Sequence, residues 1–138
     1  MKDTYADENQ LISEVFTELK SRRALSEKSR EKMEKAFGDR YTNGLRLANS
    51  HRVQRYTFTP SGRVVWAVRG RTNEYQVIPE LPFCYCDDYY FRVMDRKRGL
   101  CYHIIAQRMA EAMDQFSTVQ KTDSQYSTIT YRWRAKGS

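Results

Sequence analysis

All three cysteines of this 138-residue chain, and one of its two histidines, fall within residues 84–103. The stretch reads CYCDDYYFRVMDRKRGLCYH, which sets Cys84 and Cys86 against Cys101 and His103 as two pairs of identical spacing. Cysteines kept for packing would be scattered among apolar segments. Three thiolates and one imidazole make a closed tetrahedral donor set of the kind that holds structural zinc, one ion per chain. Four protein ligands leave no position for a substrate or an activated water, so the ion is expected to stabilise the fold and not to catalyse. The alternatives are three thiols beside an unrelated histidine, or an iron–sulfur cluster.

The spacing also limits the elements that can present these groups. Alternate residues of a strand share a face, so Cys84 and Cys86 can both aim at one ion from an extended segment. Residues two apart on a helix diverge by roughly 200°. Cys101 and His103 therefore cannot both lie inside a helix, and the consistent arrangement puts Cys101 at its start and His103 in its first turn. The positive end of that helix would favour a thiolate. His51 stands alone between Ser50 and Arg52 and reads as a surface residue.

Upstream, three helices are expected. Leu11, Ile12, Val15, Phe16 and Leu19 recur at helical spacing within residues 7–20. Ser26 is a candidate N-cap for a second helix that carries Met33 and Phe37 and stops at Gly38. Tyr41, Leu45 and Ala48 mark a short third helix over 39–48, with Gly44 inside it. From Arg52 the period changes to two: Val53, Arg55 and Thr57 alternate with Gln54, Tyr56 and Phe58. Pro60-Ser61-Gly62 and residues 69–73 then turn the chain between strands at 64–68 and 74–78, an antiparallel meander. After His103, the stripe Ile105, Met109, Ala112 and Phe116 gives a C-terminal helix. Residues 117–125 read as a polar linker and Tyr126 to Arg134 as an edge strand, with Thr130, Arg132 and Arg134 on one face. The expected class is α+β, N-terminal helices, a β-meander and a C-terminal helix around one Cys3His site. It divides into a helical extension (1–36), the zinc module (37–116) and a linker with an edge strand (117–138).

Charge and composition exclude several classes. No apolar run approaches the roughly 20 residues of a membrane span. The polar, acidic start lacks a signal core, and an odd cysteine count fits a reducing compartment, so a cytoplasmic, nuclear or nucleoid location is expected. There is no glycine-rich phosphate loop or nucleophile elbow, and every thiol is assigned to metal, so no enzyme is expected. The net charge of +7 is uneven: residues 1–50 carry 10 Lys/Arg against 9 Asp/Glu, and residues 51–138 carry 14 against 8. A basic excess in the cysteine half points to a polyanion, nucleic acid.

Cys-x-Cys, fourteen residues, then Cys-x-His resembles the ligand pattern of the SWIM zinc finger. CYHIIA resembles the start of that family's terminal helix, and the stretch from Phe37 to Cys86 resembles its helix and strands, so the resemblance covers about residues 37–110. Tyr102 stands where the family commonly has Lys. The resemblance implies a β-meander and helix around one zinc, with DNA-binding or protein-interaction roles, and partnership of small SWIM proteins with RecA-like recombinase paralogues.

Candidate nucleic-acid contacts, with DNA favoured, are Arg92, Arg96, Lys97 and Arg98 in the inter-ligand loop and Arg132 and Arg134 near the C-terminus. The loop also holds Asp87, Asp88 and Asp95 and sums to only +1, so it is equally a solvated tip. The rival reading is a protein adaptor or homodimer in which the stripe from Leu11 to Leu19 docks on a partner. More often such a stripe closes the chain's own core.

Overall fold

The computed structural model describes residues 4–70, 73–81, 83–85 and 100–136. Three helices come first: α1 (Thr4–Arg22), α2 (Glu27–Phe37) and α3 (Asp39–Asn49). Ser26 caps α2 by accepting from the Ser29 N–H at 3.2 Å, which satisfies one of the unpaired donors of the first turn. Gly38 ends that helix at φ +56°, a backbone angle that disfavours any side chain. Strands β1 (Val53–Thr59), β2 (Arg63–Arg69), β3 (Glu74–Ile78) and β4 (Phe83–Cys84) follow, then helix α4 (Tyr102–Met113). Strand β5 (Ser117–Thr122) and helix α5 (Tyr126–Lys136) complete the chain.

The five strands lie in the order β4-β3-β2-β1-β5, antiparallel from β1 through β4, with β5 parallel to β1. The meander extends through the Val77–Cys84 pairing to the first cysteine. Both faces of the sheet are covered. On one, Val53, Trp66, Val68 and Val77 join Ile104, Ile105 and Met109 of α4 in the main core. On the other, Tyr56, Phe58, Val65 and Ala67 pack with Trp133 of α5. That double covering explains why β2 is buried without alternation from Val65 to Val68.

The stripe on α1 is spent on this core: Ile12, Val15 and Leu19 are buried in the same cluster as Cys84 and Cys101. Residue 36 thus marks no break in packing between the helices and the metal-bearing part. The α1–α4 seam is closed by the Arg108 guanidinium, 3.9 Å from the centre of the Phe16 ring. Among the described residues no helix is long and apolar enough to cross a membrane.

The C-terminal part departs from the sequence reading. Residues 117–122 form an edge strand, not a linker, because an edge strand needs its backbone ladder to β1 more than an apolar face; only Val119 and Lys121 are partly buried. Conversely, Tyr126 to Arg134 is helical, not a strand. Its β-branched and aromatic composition mimics period two, but Tyr126, Ile129, Thr130 and Trp133 also recur at i, i+3, i+4 and i+7, and packing selects that stripe. Thr122 and Gln125 form a capping box ahead of α5, and the Thr130 hydroxyl donates back to the Tyr126 carbonyl at 2.9 Å. Thr130 is therefore buried and Arg132 exposed, so the expected shared face does not exist.

Trp133 meets Tyr56 edge-on, ring centroids 4.9 Å apart. Trp133→Ala should lower stability by about 3–5 kcal/mol in urea denaturation. A change within about 0.5 kcal/mol would place that ring at the surface.

Candidate metal centre and a basic groove

Two junctions bring the ligands together. Cys84 ends β4 and is held in the ladder opposite Val77. Cys101 is the N-cap of α4 with extended backbone, φ −69° and ψ 147°, and His103 lies in the first turn, as their spacing requires. Cys84, Cys101 and His103 are all buried, and their donor atoms lie within 4.8 Å of one another. His103 Nδ1 is 3.2 Å from Cys101 Sγ and 3.7 Å from Cys84 Sγ. A tetrahedral zinc with ordinary Zn–S and Zn–N bonds separates sulfur and nitrogen by about 3.6 Å. The donor set and its dimensions therefore fit the ion. Cys86, the expected fourth ligand, lies outside the described residues.

The His103 N–H points at Cys101 Sγ at 3.5 Å, where the positive end of α4 also acts. The imidazole packs beside the rings of Tyr102 and Tyr75, with centroids 4.2 and 5.1 Å away. Its Nε2 is buried and meets no hydrogen-bond partner among the described residues, so Nδ1 is the nitrogen offered to the cluster.

Gly44, which weakens the third helix as a sequence pattern, has its reason here. A Cβ on it would lie 2.9 Å from Ile105 Cγ2 and 3.1 Å from the Tyr102 carbonyl oxygen. Only glycine lets α3 come this close to the first turn of α4, between two ligands.

The other face of the sheet carries a groove of about 540 Å³, lined by Tyr56, Arg69, Glu74, Lys121, Arg132 and Trp133 among others. The Glu74 carboxylate is committed: one oxygen accepts from Tyr56 Oη at 2.9 Å and from Trp133 Nε1 at 2.8 Å. With its amide oriented to satisfy both ends, Gln54 donates to the other oxygen at 2.8 Å and accepts from Arg69 at 2.7 Å. Burial, then Glu74, pushes the Tyr56 phenol well above its usual range, which keeps it a donor. Three cations thus border a groove whose one carboxylate has three donors of its own. Arg132 is among the contacts expected from sequence; Lys121 was hidden in the apparent linker. The Arg134 side chain and Arg92, Arg96, Lys97 and Arg98 lie outside what is described.

An α+β sheet-and-helix fold with a buried Cys/Cys/His cluster supports a zinc-binding domain. The chain is similar to the zinc finger SWIM domain-containing protein 7 homolog of Dictyostelium discoideum, 27% identical over 86 residues that cover 61% of this chain and 55% of that protein. The chain thus matches about half the length of this relative. No family model and no solved structure matches it. The similarity agrees with the SWIM-like spacing of the ligands.

Zinc content follows from the cluster: Cys101→Ser should bind markedly less metal by elemental analysis than the parent. Full retention would remove Cys101 from the site. Gly44→Ala, although it favours helix, should destabilise by about 1–3 kcal/mol through overpacking, read as a lower melting temperature of zinc-loaded protein. An unchanged or raised melting temperature would show that α3 does not press on the ligand turn.

Proposed function

We propose that this protein is a SWIM-type module with one structural zinc, held by Cys84, Cys86, Cys101 and His103, that binds nucleic acid, DNA by preference, without catalysis. The carrying observation is the groove bordered by Arg69, Lys121 and Arg132. Its cations face solvent or lie half-buried, and they sit on the opposite side of the sheet from the cysteine cluster. Such a surface suits phosphates, which are recognised by charge and not by sequence. The zinc has no part in contact; with four protein ligands it would hold β4 to α4.

The loop cations Arg92, Arg96, Lys97 and Arg98, with Arg134, are further candidate phosphate contacts by charge alone. In the adaptor reading the α1 stripe is a poor docking face, since Ile12, Val15 and Leu19 are buried in the chain's own core and Leu11 and Phe16 pack against it. The protein is expected to act away from membranes, in the cytoplasm or at the nucleoid or nucleus.

Salt-dependent binding of single- and double-stranded DNA and RNA to zinc-loaded protein tests the proposal. Each phosphate contact adds about 0.7–0.9 to the magnitude of the log-affinity against log-salt slope. Replacing Arg69, Lys121 and Arg132 with Ala should flatten the slope and weaken binding to all sequences alike. The same change at Arg96, Lys97 and Arg98 should do so as well, with zinc content unaltered. Parental affinity in both triple variants would overturn the assignment of contacts. No binding by the parent at low salt would overturn the function and favour a protein partner.

A further inference from the structure

Leu100 immediately precedes ligand Cys101 and is fully buried. Both of its backbone groups are taken by one ion pair from the N-terminal helices. Its N–H donates to Glu8 Oε1 at 2.8 Å, and its carbonyl accepts from an Arg40 terminal nitrogen at 2.7 Å. The Arg40 guanidinium completes the ring with two bonds to the Glu8 carboxylate, 2.9 and 2.7 Å long. It also lies over the Phe37 ring at 5.0 Å. The side chains of Arg40 and Glu8 are only 16% and 6% exposed.

A buried ion pair is weak evidence for stability, because desolvation consumes much of its attraction. What this pair does specifically is hold one residue by both of its backbone groups. The Leu100–Cys101 peptide, whose carbonyl Arg40 binds, leads directly into the Cα of Cys101, and a metal site tolerates displacements of only about 0.5 Å. We propose that Glu8 and Arg40 are positioning residues of the metal centre, by which α1 and α3 fix Cys101 beside His103 and slow the loss of the ion. This rests on the zinc reading above. It gives the helical segment a task at the metal, and removal of residues 1–36 should speed metal loss accordingly.

The test uses the zinc-loaded full chain and follows transfer of zinc to an excess of chromophoric chelator, with the visible spectrum of the cobalt-substituted protein as a second readout. Glu8→Ala and Arg40→Met should release zinc at least about tenfold faster, the scale on which residues supporting metal ligands act. Both should shift the cobalt bands. The double variant should release no faster than the faster single one, since both residues act through Leu100. Val15→Ala, in the buried face of α1, should lower the melting temperature and leave the release rate at the parental value. If Glu8→Ala does not fold, Glu8→Gln and Arg40→Lys carry the comparison, with smaller accelerations. Parental release rates in the Glu8 and Arg40 variants would overturn the inference alone, as would equal acceleration by Val15→Ala. A parent that binds no metal would overturn the zinc reading with it.

Discussion

Two sulfurs approach one imidazole nitrogen at 3.2 and 3.7 Å, and the elements of the main core meet at this contact. It joins a two-residue strand at the edge of the sheet to the N-terminus of the helix that covers it. Among the described residues β4 pairs with β3 at two positions, and a short strand gains little from packing alone. A bound metal would supply that link, because its binding energy would become folding energy. The rest of that side of the sheet is arranged around this junction. Gly44 lets α3 press on the ligand turn, the tyrosine rings pack beside the imidazole, and Glu8 with Arg40 holds the residue before Cys101.

The opposite face is built on different physics. Trp133 and Tyr56 bury their rings and direct their polar atoms to one carboxylate, Glu74. Three neutral donors solvate that carboxylate, Gln54 links it to Arg69, and the three cations outnumber it at the groove rim. Metal site and cationic surface therefore lie on separate sides of one sheet, and substitutions on one face should leave the other largely intact.

Most of the architecture was legible because local signals agreed with tertiary ones. Ser26 and Gly38 bracket α2, the change of period at Arg52 marks β1, and the two-residue spacing of Cys101 and His103 fixes the start of α4. The C-terminal part was not legible, for a physical reason. The sequence STVQKT has little apolar content because an edge strand can be stabilised by its backbone ladder, while YSTITYRWRAK carries strand-like residues whose helical stripe matters only once the second sheet face needs a cover. The Glu8–Arg40 bracket left no trace in the sequence pattern, since two charged residues 32 apart look like solvated surface until the fold encloses them.

The central claim is that Cys84, Cys101 and His103, with Cys86, hold one zinc through sulfur and nitrogen. X-ray absorption at the zinc edge of the purified, metal-loaded protein tests it most directly. The expected spectrum fits three sulfurs at about 2.3 Å and one nitrogen at about 2.0–2.1 Å. Zinc surrounded mainly by oxygen and nitrogen, with fewer than two sulfurs, would contradict it.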